Sequence, residues 1–150
     1  MAGLTERIAQ FITGRSLADF PADTVDKAKK VITDTVGVIL AGAGSELNEP
    51  LMKYLDACGE GGTIPVLGTG RCAGAETAAM INGSFGHALD FDDVLSMMPA
   101  HPSAVILPAL FADLRGADGK RLIEAYTIGV EVGGKIGLGI RVGHYHRGFH

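Results

Sequence analysis

The sequence predicts an all-α protein, a multi-helix bundle with at most one short hairpin near residues 62–70. Two observations support this class. Apolar residues recur at spacings of three and four through most of the 150 residues, which is the period of a helix with one buried face. Only the glycine-rich stretch GEGGTIPVLGTGRCAG contains a short extended piece, Thr63 to Leu67, and glycines bound it on both sides.

Six helices are predicted along the chain, each from a periodic apolar face or from a boundary residue. They cover residues 4–12, 21–42, 46–58, 73–90, 102–114 and 122–140. The second has the clearest apolar stripe, which includes Val31, Val36 and Leu40 and ends at a pair of glycines. Pro102 suits the first turn of the fifth helix, and Pro108 predicts a kink inside that helix.

The composition argues against several classes of function. Hydrophobic residues make up 47% and charged residues 20%, which is typical of one folded domain spanning residues 1–150. The net charge is −4 and the cations are scattered, which argues against nucleic-acid binding. Cys58 and Cys72 fit neither a disulfide framework nor a zinc motif. Since we find no signal peptide and no apolar run of about 20 residues, we expect a cytoplasmic protein without a membrane span.

The sequence contains no complete cofactor-binding motif. GVEVGGK at residues 129–135 has the glycine and lysine spacing of a phosphate-binding loop, but Ile136 follows where Ser or Thr would hold the magnesium ion. The segment also lies inside a predicted helix, where glycines allow close packing of helices. We therefore expect no cofactor.

Three aspartates stand close together in GHALDFDDV, in a chain that is otherwise mostly apolar. Asp90, Asp92 and Asp93 lie at the predicted end of the fourth helix. A solvated helix end, a metal site and an active site for proton transfer all remain open for them. Magnesium is not favoured by the spacing, because Ser96 stands where an aspartate-rich motif would place a further Asp.

A histidine follows the aspartates at the start of the next predicted helix. His101 precedes Pro102, and Ser103 adds a hydroxyl beside it. A helix N-terminus presents free N–H groups that favour a bound anion. His101 is therefore either a simple helix cap or an acid–base group near such an anion. His87, within the fourth helix, is expected to be structural.

The last eight residues, GHYHRGFH, form a second cluster of functional groups. His144, His146 and His150 lie there with Arg147. A surface tail, an organic active site and a transition-metal site remain open for these histidines. Together with an aspartate and His101, a histidine and an arginine of this segment would suit proton transfer on an anionic carboxylate substrate.

The strings GHALDFDDV and HPSAVILPAL, followed further along by HRGFH, resemble the MmgE/PrpD family. That family includes 2-methylcitrate dehydratase, cis-aconitate decarboxylase and an iminodisuccinate epimerase. KKVITDTVGVILAGAG, AAMINGSFGHALDFDD and GKRLIEAYTIGVEVGGKIG resemble other helices of the family, so the resemblance covers essentially all 150 residues. It implies the N-terminal part of the family's large helical domain. The family's lid domain and the C-terminal remainder are expected to be absent from this chain.

The resemblance also implies roles for particular residues. By position, the catalytic residues are Asp90, His101 and His150. The substrate-binding residues are Asp93, Ser103 and Arg147. No metal ligand is implied. Val94 stands where the family often has Thr, which leaves the identity of the substrate open.

The chemistry implied by the resemblance is cofactor-free proton transfer beside a carboxylate of a small di- or tricarboxylate. A hydro-lyase of the 2-methylcitrate dehydratase type, from propionate metabolism, is one form, and a decarboxylase or an epimerase is another. The chain alone is expected to be inactive, and to associate as a homodimer or with its missing C-terminal part. Two alternatives stay open, a non-catalytic helical dimerisation module and a metal-binding helical protein.

Overall fold

The computed structural model of the protein describes residues 2–59, 61–96, 99–114 and 116–148. Within these ranges six α-helices account for most of the chain, which confirms the predicted all-α class. The helices are α1 (Leu4–Thr13), α2 (Ala22–Gly42), α3 (Asn48–Cys58), α4 (Ala75–His87), α5 (Pro102–Asp113) and α6 (Gly119–Ile140). Two strands, β1 (Ile64–Val66) and β2 (Arg71–Ala73), form an antiparallel hairpin. Short 3-10 turns lie at Leu17–Asp19, Arg141–Gly143 and Tyr145–Arg147.

Helix α4 lies between α2 and α5 and carries much of the core. The side chains of Ile39, Ile81 and Phe85 are fully buried in one core cluster, whereas Leu107 of α5 is fully buried in a second cluster with Ala28 and Tyr126. A Cβ atom at Gly42 would lie 1.9 Å from the carbonyl oxygen of Phe85, so only glycine permits α2 to approach α4 this closely. This close approach of α2 to α4 fixes the position of the C-terminal turn of α4, where the site described below begins.

The hairpin is attached to α4 by one buried amide. Asn82 is 1% exposed. Its Nδ2 donates to the carbonyl oxygen of Pro65 at 3.0 Å, and its Oδ1 accepts from the backbone N–H of Leu67 at 2.9 Å. A buried amide whose donor and acceptor are both used fixes the register of the attached backbone, because any shift would leave polar groups unpaired.

Most helix boundaries lie within two residues of the sequence prediction, but two differ by three residues, each with a local cause. Helix α4 ends at His87 rather than near position 90, because Asp90 adopts the left-handed conformation with φ of 54°. Helix α6 begins at Gly119 rather than at 122, because the carboxylate of Asp118 accepts from the N–H of Arg121 at 2.9 Å and caps it. Helix α5 is continuous through Pro108.

A membrane crossing requires a helix that is both long and apolar. None of the helices in the ranges given above meets both conditions.

Candidate active site

Four of the predicted site residues meet where the end of α4, the loop after it and the start of α5 come together: Asp90, Asp93, His101 and Ser103. A cleft of about 660 Å³ opens there, and its wall is mainly apolar. His87 and His101 are the ionisable residues among the described residues that line it. The site is therefore a mostly apolar cleft with two imidazoles at one end.

The loop after α4 turns sharply, which places its aspartates at different depths. Asp90 sits at the turn, where its N–H donates to the carbonyl oxygen of His87 at 3.1 Å and its side chain is 79% exposed. Further along, the N–H of Leu95 donates to the carbonyl oxygen of Ala100 at 3.0 Å and closes the loop onto the start of α5. The turn therefore leaves Asp90 in solvent and carries the next carboxylates inward.

Asp92 is the buried carboxylate of the site. Its side chain is 0% exposed. Nδ1 of His87 lies 3.0 Å from Oδ1, and Nδ1 of His101 lies 3.2 Å from Oδ2. An ionised carboxylate can only accept, so Nδ1 of His87 donates the hydrogen of its bond with Asp92. The approach of His101 to Oδ2 is a close electrostatic contact without hydrogen-bond geometry. The hydrogen bond from His87 and the nearby ring of His101 both offset the cost of burying the carboxylate.

His101 stands at the N-cap position of α5, yet its side chain does not cap the helix. Its Nδ1 faces the buried Asp92, whereas its Nε2 lies 4.0 Å from Oδ1 of the exposed Asp90. The imidazole therefore has one nitrogen engaged inside the protein and the other directed to the exposed side. A buried carboxylate beside one ring nitrogen orients a histidine for acid–base work, because it favours the tautomer with hydrogen on that nitrogen.

Asp93 caps α5 in place of His101. Its Oδ1 accepts from the backbone N–H of Ser103 at 3.1 Å, and its Oδ2 accepts from the hydroxyl of Ser103 at 2.7 Å. The N–H at this helix end, predicted from the sequence to favour a bound anion, is thus already occupied by a carboxylate of the chain itself. Asp93 and Ser103 hold the loop on α5 directly behind the two histidines.

Tyr126 of α6 completes this buried network. Its hydroxyl lies 2.6 Å from Oγ of Ser103. Because the single hydroxyl hydrogen of Ser103 is donated to Asp93, the phenol of Tyr126 donates to Ser103. Burial raises the pKa of the Tyr126 phenol, and the nearby carboxylate of Asp93 raises it further. The network connects the loop, α5 and α6.

The C-terminal cluster approaches the loop through one of its histidines. Nε2 of His144 lies 3.5 Å from the carbonyl oxygen of Pro99, just before His101. Arg147 is exposed on the 3-10 turn Tyr145–Arg147. His150, predicted as the third catalytic residue, lies outside the described residues. The structure therefore brings Asp90 and His101 together, with Asp93 and Ser103 behind them.

His87 and Asp92 are the site residues that the sequence analysis did not select. His87 was expected to be structural, but its ring centre lies 4.3 Å from that of His101, at the cleft wall. Asp92 belonged to the aspartate cluster, yet nothing in its spacing distinguished it from its neighbours. The string GHALDFDD is the one sequence feature that could have indicated this pair. If the helix ends at the histidine, the loop that follows can fold a carboxylate back onto the imidazole.

Four of these side chains could also hold a cation. The nearest ligand atoms of His87, Asp90, Asp92 and His101 all lie within 4.8 Å of one another. Two imidazoles and two carboxylates form a donor set that suits zinc and related transition metals. From the sequence, the aspartates and the terminal histidines are the candidates for such a site, whereas the structure groups Asp90 and Asp92 with His87 and His101.

Comparison with known proteins shows that nearly the whole chain matches one protein family. Residues 6–150 match the family model described as the MmgE/PrpD N-terminal domain. A cis-aconitate decarboxylase-like protein of Aspergillus oryzae is 32% identical over 143 residues, which is 89% of this chain and 30% of that protein. The cis-aconitate decarboxylases of Aspergillus terreus and Mus musculus are 30% and 29% identical over 93% and 91% of this chain. The chain spans about 30% of the length of these relatives.

Proposed function

The chain belongs to the MmgE/PrpD family, and on that premise we propose that it carries the acid–base half of a lyase active site. The substrate is a small polycarboxylate, and decarboxylation of cis-aconitate is the favoured reaction. The curated relatives named above, from moulds and from mouse, are decarboxylases by name. Dehydration of 2-methylcitrate, another reaction that the resemblance implies, is the second reaction to test.

The observation that carries this proposal is the pairing of His101 with the buried Asp92. One imidazole nitrogen is held 3.2 Å from a carboxylate that is 0% exposed, and the other is directed to the exposed side of the site. A fixed ring can deliver or remove a proton at one place without first reorienting, which is what a general acid–base catalyst requires. Asp90 stands 4.0 Å from the outer nitrogen, at the point where a substrate group would arrive.

In the proposed decarboxylation, the bond between a substrate carboxylate and its carbon breaks and carbon dioxide leaves. The electron pair stays on the carbon as a carbanion- or enolate-like state. A protonated His101 then donates from Nε2 to that carbon, and a proton from solvent restores the imidazolium. In the alternative dehydration, neutral Nε2 removes the proton beside a carboxylate, and the electron pair expels the hydroxyl, which leaves as water after taking up a proton.

The charge of the cleft indicates that groups outside its described lining bind the carboxylates of the substrate. A polycarboxylate needs cations for binding, but the described residues lining the cleft include neither Lys nor Arg. Asp90 and Asp92 make its end negative. We therefore propose that cations come from the exposed Arg147 or from the rest of the relatives' length, and that these 150 residues alone have no useful turnover. We also propose that the chain associates with the part of the relatives' length that it does not span, or with a second copy of itself.

A transition-metal site is a second candidate function, because four potential ligand atoms already lie within 4.8 Å of one another. Zinc there would hold both imidazoles and block the proposed proton transfer. The two functions therefore make opposite predictions. Adding zinc to the protein should inhibit a metal-free lyase, while a metal-dependent enzyme should lose activity on chelation instead.

The experiment is a product assay on a protein of the relatives' length that carries this segment. Cis-aconitate and 2-methylcitrate are supplied in turn, with a chelator and with added zinc, and release of carbon dioxide is measured beside loss of water. We expect carbon dioxide from cis-aconitate, undiminished by the chelator. Water loss from 2-methylcitrate as the faster reaction would favour the dehydratase, and no turnover of either substrate would contradict the proposed substrates.

A further inference from the structure

We propose that His87 is a positioning residue, which holds Asp92 and His101 in the geometry that directs Nε2 of His101 to the substrate. This inference rests on the proposed function for its kinetic consequence. Its structural content can be tested without any turnover.

His87 shares the carboxylate of Asp92 with His101. Its Nδ1 lies 3.0 Å from Oδ1 and 3.2 Å from Oδ2, while Nδ1 of His101 lies 3.2 Å from Oδ2. The two rings thus approach one carboxylate from two different elements, the last turn of α4 and the first residue before α5. His87 cannot turn away without removing a hydrogen bond from a buried carboxylate, and His101 cannot turn away without losing its close contact with Oδ2.

The two imidazoles also touch each other. Their ring centres are 4.3 Å apart and their planes are inclined by 57°. Contact between the rings limits the rotation of His101, and the shared carboxylate limits its tautomer. His87 therefore restrains His101 in two ways, through Asp92 and through direct packing.

A purely structural role is a poor account of His87. Its side chain is 46% exposed, so its burial contributes little to the core. It also lines the cleft while it donates inward to Asp92. An exposed residue whose polar contact is to a buried carboxylate is well placed to organise a site and poorly placed to stabilise a fold.

Two substitutions separate the hydrogen bond from the shape of the ring. His87→Asn places an amide N–H near the position of Nδ1 and keeps the donor to Asp92. His87→Phe keeps a ring against His101 and removes the donor. Because the side chain is nearly half exposed, both variants are expected to fold, and circular dichroism of this chain verifies that.

The first readout is the tautomer of His101, from imidazole ¹⁵N shifts in this 150-residue chain. We expect the form with hydrogen on Nδ1 in the unsubstituted chain and in His87→Asn. In His87→Phe we expect a mixture that includes the form with hydrogen on Nε2. An unchanged tautomer of His101 in folded His87→Phe would overturn the proposal.

The second readout is kinetic, in a protein of the relatives' length. His87→Phe should lower kcat by about ten- to a hundredfold, as loss of an orienting partner does elsewhere, with KM changed by less than about threefold. His87→Asn should recover most of kcat. A raised KM with unchanged kcat would overturn the proposal, because His87 would then bind substrate directly. If His101 itself proves dispensable, the proposed function fails while the ¹⁵N readout still decides the role of His87.

Discussion

Two glycines in the same helix provide a matched test of how α2 and α4 are packed. Gly42 meets α4 closely: an added Cβ would lie 1.9 Å from the carbonyl oxygen and 2.8 Å from the carbonyl carbon of Phe85. Gly37, five residues earlier in α2, is exposed, and a Cβ added there would have nothing within 4 Å. The same Gly→Ala substitution therefore adds a methyl group at both positions, but only the methyl group at position 42 meets α4.

The geometry sets the size of the effect. A carbon normally stays about 3.3 Å or more from a carbonyl oxygen, so Gly42→Ala forces the two helices apart by roughly 1.4 Å. Overpacking of this kind costs about 1–3 kcal/mol or more, and the fully buried Phe85 loses contacts as well. Gly37→Ala instead gains about 0.5–1 kcal/mol of helix propensity. We expect the two variants to differ by about 3 kcal/mol in the free energy of unfolding.

The assay is urea unfolding of this chain followed by far-UV circular dichroism, with the unsubstituted chain beside both variants. Gly42→Ala should also disturb the site, because Phe85 lies two residues before His87 at the end of α4. A Gly42→Ala variant within about 0.5 kcal/mol of the unsubstituted chain would refute the close crossing, since such a contact cannot be relieved without moving backbone.

Three further predictions concern buried polar groups. Because Tyr126 has a raised pKa, its contribution to stability is complete below about pH 10 and is lost as the pH rises above that value. The free energy of unfolding in urea should therefore change less with pH above about pH 10 in Tyr126→Phe than in the unsubstituted chain. The control Tyr145→Phe, at an exposed site, should follow the unsubstituted chain. Asn82→Leu leaves two backbone groups of the hairpin unpaired and should cost about 2–4 kcal/mol in urea unfolding; a loss under about 0.5 kcal/mol would contradict the buried amide link. Asp92→Asn replaces one of the two carboxylate oxygens that face the imidazoles with an amide NH₂, so kcat should fall about a hundredfold or more. The control Asp56→Asn, which breaks an exposed ion pair, should leave kcat unchanged. Equal kcat in both variants would show that Asp92 has no part in the site.

The fold class was predictable because its signal is local. Apolar residues at spacings of three and four marked all six helices, and glycines marked the hairpin turn. The end of α4 was not predictable in the same way. It depends on the left-handed conformation of Asp90, and an aspartate adopts that conformation only where the surrounding loop requires it.

The candidate site was predictable in part. Asp90 and His101 were selected from one short stretch, and the structure places Oδ1 of Asp90 4.0 Å from Nε2 of His101. The partnership of Asp92 with two histidines could not be derived, because three neighbouring aspartates look alike until a fold buries one of them. The hydrogen bond between Ser103 and Tyr126 joins residues 23 positions apart, so it depends on the packing of α5 on α6 rather than on any local pattern.

The central claim is that His101 exchanges a proton with the substrate through Nε2 while Asp92 holds Nδ1. His101→Asn tests it most directly, because the amide N–H of asparagine replaces Nδ1 at Asp92 and leaves nothing in place of Nε2. The measurement is kcat for release of carbon dioxide from cis-aconitate in a protein of the relatives' length, with His146→Asn as the exposed control. We predict that kcat falls about 10²–10⁴-fold in His101→Asn and changes little in the control. Turnover of His101→Asn within about twofold of the unsubstituted enzyme would contradict it.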